Sequence, residues 1–376
     1  MRIVFVSSAQ VPSDTANSIQ VMKVCQAFTQ LGHDVILLIP GPQPKSSDPD
    51  VLRRHYGLRT LFKMEWLPVQ SRRLFPWEAV RRARRLRADL LYAWPLQSAA
   101  LGLLIRMPSM LELHDFPSGR FGPLWLRLFI ALPGRKRLLP ITHALKAALG
   151  LPANRTIIAP DGVDLERYAP LSDPSISSVQ PPELARGELG LPATPTVLCT
   201  GHLYKGRGAD LFLVLAEKFP QANFIWVGGR SEDVKIWAAR AAAKTLLNVT
   251  FTGFVPNERI PLYQSAAEVL LMPYKEMVAT SSGGNTAGIC SPMKMFEYMA
   301  AGRAILTSDL PVLREVLDET TAVFCPADDC KAWETALGEL LNDEPRRQAL
   351  GQRARIAVEK YSWLERAKRT LDGWVV

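Results

Sequence analysis

Residues 291–302, SPMKMFEYMAAG, place one cation and one carboxylate in an otherwise apolar helical stretch. Ser291 suits a helix N-cap, and Pro292 suits the first helical position, where a missing N–H costs nothing. The N-terminus of a helix offers free N–H groups and a partial positive charge, a combination that suits phosphate. Lys294 falls in that first turn, where a cation opposes the helix dipole unless an anion joins it. Glu297, three residues on and on a neighbouring face, is an acceptor for paired hydroxyls such as those of a ribose. The stretch therefore reads as a cradle, with a diphosphate at the helix tip and a nucleoside sugar along the side. The alternative is a capped core helix with one Lys–Glu surface pair. Met293, Met295, Phe296 and Met299 make nearly every other face apolar, which favours the cradle. Upstream, residues 280–288 (TSSGGNTAG, with Gly284) form a small-residue loop that lets backbone approach a ligand.

A second constellation is residues 199–210, CTGHLYKGRGAD, which follow a strand-like run and open a helix. Gly201, Gly206 and Gly208 permit tight turns around His202, and Lys205 and Arg207 supply charge for phosphate. The order is not that of a Walker A loop. It is not the dinucleotide fingerprint either, which belongs after the first strand, where this chain has SSAQVPSDTANS. A third is LELHDFP, residues 111–117: His114 and Asp115 end a strand, where His114 either positions a ligand and bears developing charge or is structural. Asp161, Gly162 and Asp164 read as caps of a turn. The Ser291-x-x-Lys294 match to a serine–lysine hydrolase motif lacks its partner motifs, and Asp48-Pro49-Asp50 lies in a Pro/Ser-rich loop with no strand before it. The five cysteines form no C-x-x-C pair and no His/Cys cluster, so no protein metal site is expected and a reducing compartment is.

Elements must hold these residues in place. RIVFVSS reads as a buried strand; Ile19, Met22, Cys25, Ala27, Phe28 and Leu31 approximate a helical stripe; Gly32 stops it and DVILLIP is the next strand. That is a β-α-β unit and implies a parallel sheet with a right-handed crossover. LLYAWP, SMLELHD and RTIIAPDG continue as strands. The pattern fades over the Pro- and Ser-rich residues 167–194 and restarts with PTVLCTGHL, ANFIWVGG, NVTFTGFV, VLLMPY, AILTSD and AVFCP, with helices alternating. The expected organisation is a Rossmann-like domain at 1–168, a linker at 169–194, a second Rossmann-like domain at 195–355, and a helical segment at 356–376 packing back toward the first domain. Ligands of doubly wound sheets bind beyond the carboxyl ends of the strands at a switch point.

The 376 residues, 48% hydrophobic, suffice for two full cores. Met1-Arg2 leads straight into IVFVSS, so no secretory signal is expected, and no apolar run is long enough to span a bilayer. The net charge of +9 is concentrated at Arg72, Arg73, Arg81, Arg82, Arg84, Arg85 and Arg87 and again at Arg120, Arg127, Arg135, Lys136, Arg137 and Lys146, beside Phe121, Trp125 and Phe129. Basic residues mixed with aromatics suit an anionic membrane surface; the alternative is a solvated basic face. The location expected is cytoplasmic, either free or peripheral at the inner face of the plasma membrane, with no nucleic-acid partner.

Taken in order, these features resemble the GT4 family of retaining glycosyltransferases, which have the GT-B fold: two Rossmann-like doubly wound domains facing across a cleft. QAFTQLGHDV looks like the family's first helix and second strand, GHLYKGRGAD is similar to its G-R-x…K-G-x-D segment, and SPMKMFEYMAAGRAILTSDLPVLREVL looks like its E-x7-E region. The resemblance implies that Glu297 binds the ribose of the donor nucleotide. The first glutamate of the motif is replaced by Ile289, as in a variant branch with S-P-x-K, in which Ser291 and Lys294 take over phosphate and sugar contacts. Arg207 stands where the family has its diphosphate lysine, and His202 where it has an arginine, a charge for which Lys205 compensates. His114 matches the family's active-site histidine, and Asn17-Ser18 occupy roughly the place of its Gly-Gly loop on the acceptor side, with Asp115. The function implied is transfer of a hexose-type sugar from a UDP- or GDP-sugar to a glycan or lipid-linked acceptor, without cofactor or metal. A nucleotide-sugar epimerase and a non-catalytic nucleotide-sugar-binding protein are the alternatives.

Overall fold

Continuous apolar runs buried on both faces form parallel strands covered by helices, and this chain has two sets of them. The computed structural model describes residues 1–44, 47–69, 73–168, 181–278 and 285–374. The first sheet contains β1 (Arg2–Val6), β2 (Asp34–Pro40), β3 (Lys63–Leu67), β4 (Leu90–Ala93), β5 (Ser109–Leu113) and β6 (Lys136–Pro140), in the order β3-β2-β1-β4-β5-β6. The second contains β7 (Thr196–Thr200), β8 (Asn223–Val227), β9 (Val249–Gly253), β10 (Val269–Met272), β11 (Ala304–Ser308) and β12 (Val323–Cys325), in the order β12-β11-β10-β7-β8-β9. Every pairing is parallel. Both sheets run out for three strands and then return across the first. Each therefore has one switch point, between β1 and β4 and between β7 and β10.

The chain divides into two compact units, Met1–Asp161 with Trp363–Val376, and Gly162–Ser362. Within the first unit, helix Trp363–Leu371 packs on helix Ala16–Gln30, and Arg137 Nη1 donates to the Thr370 carbonyl at 2.6 Å. The core of the second unit gathers Val197, Phe212, Trp226, Leu271, Leu306 and Trp333 around the middle of its sheet. A short helix, Pro182–Leu189, lies in the stretch read as a linker.

Three local expectations are corrected. RTIIAPDG is not a strand: Thr156 makes only an isolated bridge to Leu138. Pro160 has no N–H, and the carbonyls of Ala159 and Pro160 accept from Arg366 instead of a neighbouring strand. The cradle helix is Met293–Ala301, with Pro292 at the N-cap position and no side-chain cap, so Ser291 stands one place outside it. Its C-terminus is Gly302, at φ 63°, a left-handed conformation suited to glycine. Finally, the basic cluster after residue 134 is largely engaged. Lys136 caps the carbonyl end of helix Gly122–Ala131 through Phe129 O at 2.9 Å and Ile130 O at 2.6 Å, and Arg135 and Arg137 lie over the Trp374 ring.

Candidate functional site

The switch point of the second sheet brings the two sequence constellations together. The loop after β7 turns through Gly201 (φ 115°), Gly206 (φ 84°) and Gly208 (φ 83°). A Cβ on Gly206 would stand 1.8 Å from the Met277 carbonyl oxygen, and one on Gly208 2.0 Å from that of Pro273. Only glycine lets this loop lie against the exit of β10. Helix Met293–Ala301 delivers Lys294 to the same place: a Cβ on Gly201 would lie 3.8 Å from Lys294 Nζ.

Lys294 is buried. Its ammonium lies 3.7 Å from Cys199 Sγ and rests over the rings of Tyr274 at 5.0 Å and Trp226 at 5.9 Å. Burial pushes the Cys199 thiol up, and Lys294 only partly offsets this, so the sulfur stays neutral and supplies no counter-charge. Arg207 shares the Tyr274 ring, its guanidinium 4.7 Å from the centroid, and donates to the Tyr274 hydroxyl. Among the described residues, no carboxylate pairs with Lys294 or Arg207. Two cations on one aromatic ring, one of them out of water, form a site in want of an anion. Tyr298, from the same helix, anchors β7 by accepting from Thr200 N at 2.7 Å.

Glu297 projects from that helix beside Gln264, whose Nε2 donates to its Oε2 at 3.2 Å; Tyr168 in turn donates to Gln264 Oε1 at 2.7 Å. The carboxylate is thus oriented by an amide that is itself oriented. Among the remaining second-unit candidates, His202 stacks on Tyr204 at 4.9 Å, Lys205 is exposed, and Gly284 lies outside the described residues. Ile289, in place of the family glutamate, is buried. Sequence reasoning missed Tyr274, the ring both cations share; its signal was an aromatic directly after VLLMP.

In the first unit, His114 follows β5 and its ring lies 4.5 Å from that of Trp94. Its Nε2 is 3.0 Å from Glu112 Oε1, at an angle short of a straight hydrogen bond. Asp115 is exposed and accepts from the backbone N–H of Phe116 at 2.7 Å. Asn17 is exposed at the start of helix Ala16–Gln30, whereas Ser18 is buried and bonded to the Tyr56 hydroxyl. Ser18 is therefore spent on packing one helix against the next. Among the described residues, no group of three or more His, Cys, Asp or Glu is placed to hold a metal ion.

Asp161 is a buried carboxyl of the first unit. Burial pushes its carboxyl up to about 7, against the pull of His114 and Arg366 and with the push of Glu112. Its folded value lies above the ordinary one, so the folded state keeps a proton that the unfolded chain has already lost. The stabilisation is complete below about pH 4 and is lost as pH rises through about 7. Asp161→Asn, which keeps a neutral group, is expected to match the parent Tm near pH 4 and exceed it by about 4 °C near pH 8. Thermal melts across that range check it; equal shifts at both ends would place the effect elsewhere.

Two doubly wound six-strand units, one with a cationic switch point, make up the GT-B fold of glycosyltransferases. The solved structure of Anabaena Alr3699/HepE in complex with UDP has that fold and superposes with a TM-score of 0.73 over 100% of this chain and 99% of that one, at 16% identity. Residues 18–167 match Glycosyltransferase Family 4, and residues 194–343 match Glycosyl transferases group 1. The chain belongs to this glycosyltransferase family. It is 27% identical over 232 residues to a D-inositol 3-phosphate glycosyltransferase of Xylanimonas cellulosilytica, covering 59% of this chain and 52% of that protein. It is also 27% identical over 219 residues to a GDP-mannose-dependent alpha-(1-6)-phosphatidylinositol monomannoside mannosyltransferase of Mycolicibacterium smegmatis, covering 57% and 54%. The chain spans about half the length of the curated relatives it matches.

Proposed function

We propose that the chain is a retaining glycosyltransferase that moves a hexose-type sugar from a UDP- or GDP-sugar to a glycan or lipid-linked acceptor in cell-envelope or polysaccharide biosynthesis. One observation carries the reading: Lys294 is buried at a switch point, on two aromatic rings and a neutral thiol, with Arg207 sharing one ring and, among the described residues, no carboxylate on either. A diphosphate supplies the missing charge. The relatives named above act on inositol phosphate and phosphatidylinositol mannoside, and HepE is solved with UDP-glucose. The UDP-glucose complex and the GDP-mannose-dependent relative support a nucleotide donor, and the phosphatidylinositol mannoside of that relative supports a lipid-linked acceptor.

In this reading the bond between the anomeric carbon and the diphosphate oxygen breaks, the sugar gains oxocarbenium character, and charge grows on the leaving diphosphate. Lys294 and Arg207, with the N–H groups at the start of helix Met293–Ala301, hold that charge in positions fixed before reaction. Lys205 and His202 flank the phosphates, Gly201 lets the backbone approach, and Glu297 accepts from the ribose hydroxyls. His114 acts toward the transferred sugar. The reaction needs no metal, because protein cations cover the phosphates. A thermal-shift screen of UDP-, GDP- and ADP-sugars, followed by product analysis, tests the assignment. One donor class is expected to raise Tm by several degrees at saturating concentration. An isomerised sugar from donor alone would make the protein an epimerase, binding without turnover a nucleotide-sugar-binding protein, and no shift with any donor would end the reading.

We also infer peripheral attachment to an anionic membrane. Helix Leu96–Leu104 packs on both Phe75–Arg85 and Gly122–Ala131. Those two helices and the residues beside them leave Leu74, Trp77, Phe121 and Leu124 exposed, beside exposed Arg81, Arg84, Arg85, Arg120 and Arg127. Arg72 lies outside the described residues. Apolar side chains among arginines suit the boundary of lipid headgroups and acyl chains. No helix among the described residues is long and apolar enough to cross a membrane. In flotation, binding to vesicles with anionic lipid is expected to exceed binding to neutral vesicles, and Trp77→Ser with Phe121→Ser to reduce it. Equal recovery with both lipids would argue against attachment.

A further inference from the structure

Glu112 is the last but one residue of β5, fully buried, where a carboxylate has no water. Burial alone would raise its carboxyl; Arg366, His114 and Tyr92 outweigh it and hold it at about 2. Its oxygens are shared among several donors. Oε1 accepts from Gln20 Nε2 at 2.9 Å and from Arg366 Nη2 at 2.7 Å and faces His114 Nε2 at 3.0 Å; Oε2 accepts from the Tyr92 hydroxyl.

Arg366 is the second buried charge, and it arrives from helix Trp363–Leu371. Besides Glu112 it donates through Nε to the Pro160 carbonyl at 2.8 Å and through Nη2 to that of Ala159 at 3.1 Å, and Nη1 lies 3.4 Å from the Tyr92 hydroxyl. A buried pair of this kind gains little over apolar packing of the same volume, so stability alone gives it no purpose. Its geometry has a direction: one carboxylate oxygen is held 3.0 Å from an imidazole nitrogen, off the straight hydrogen-bond line. An ionised oxygen 3.0 Å from a ring nitrogen repels a lone pair and attracts an N–H. The proton of a neutral His114 ring therefore belongs on Nε2, which leaves Nδ1 as the nitrogen offered outward, in a plane limited by Trp94.

We propose that Arg366 is a positioning residue for His114: by holding the Glu112 carboxylate against the imidazole, it fixes the Nε2–H tautomer and presents Nδ1 to the bound donor. The tautomer needs no assumption about function; what Nδ1 meets rests on the glycosyltransferase reading. The ordering matters because a ring in the wrong tautomer offers a donor where an acceptor is required.

Nitrogen-15 NMR of histidine-labelled full-length protein, without ligand and well above the ordinary imidazole range, reads the tautomer directly. The chain has five histidines, and His114→Gln assigns the relevant signal. The parent is expected to show Nε2–H at His114. Arg366→Met alone strands a buried carboxylate and can unfold the protein, so the test variant is Glu112→Leu with Arg366→Met, which removes both charges at similar volume. It is expected to fold, to show a mixed tautomer, and to lose about tenfold in kcat with donor KM within about twofold. Nδ1–H in the parent, or an unchanged tautomer in the folded double variant, would overturn the proposal. So would an unchanged kcat. If the tautomer shifts as expected but the parent transfers sugar from no donor, the positioning stands and the transferase reading falls.

Discussion

Lys294→Met is expected to lower kcat by about 100-fold while leaving donor KM within about threefold. The side chain is nearly isosteric, and the ring faces of Tyr274 and Trp226 that now carry an ammonium accept a thioether readily. Packing should therefore survive and Tm should hold or rise, because the substitution removes a buried charge with no carboxylate partner among the described residues. What is lost is a cation fixed in place before the diphosphate leaves, an interaction worth more in the transition state than in the ground state. Steady-state kinetics with the donor found by the screen, together with melts of both proteins, separate the two effects. A fall in kcat matched by a fall in Tm would reduce Lys294 to a structural role.

The second large effect is expected at Glu297, with the opposite kinetic signature. Glu297→Ala should raise donor KM by about 50-fold with kcat little changed, since hydrogen bonds to a charged group are worth about 1.5–3 kcal/mol and those to ribose do not change during transfer. Gln264 and Tyr168 hold the carboxylate, so Gln264→Ala should produce a weaker version of the same defect. A donor lacking the 2′-hydroxyl sharpens the test: parent and Glu297→Ala should differ far less with it. An equal penalty with both donors would remove the ribose from the assignment.

The second unit was more legible in the sequence than the first, for a physical reason. Strands such as β7 and β10 are central, buried on both faces and uninterrupted by charge, so their apolar runs stand out. β3, Lys63–Leu67, lies at the sheet edge with its residues half covered and alternating with charge, and β6, Lys136–Pro140, opens on two basic residues that read as surface. Both were missed. Lys136 and Arg137 in fact serve backbone carbonyls of neighbouring helices, a role that no local pattern announces. The phosphate-side residues were legible because glycine spacing and a lone lysine in an apolar helix are local signals. The Glu112–Arg366 pair was not, since its partners are joined only by the fold. A carboxylate within a buried strand was the one available clue.

The first unit is completed by a helix encoded after the whole of the second. During synthesis, therefore, the second unit is contiguous and able to finish on its own, whereas the first emerges earlier yet waits for residues 363–371. Until Arg366 leaves the ribosome, Glu112 has no guanidinium to neutralise it, and the groove along helix Ala16–Gln30 stays open to solvent. The unit that begins first along the chain is therefore the last whose residues are all available, a consequence of one helix crossing back over the length of the other unit's sequence.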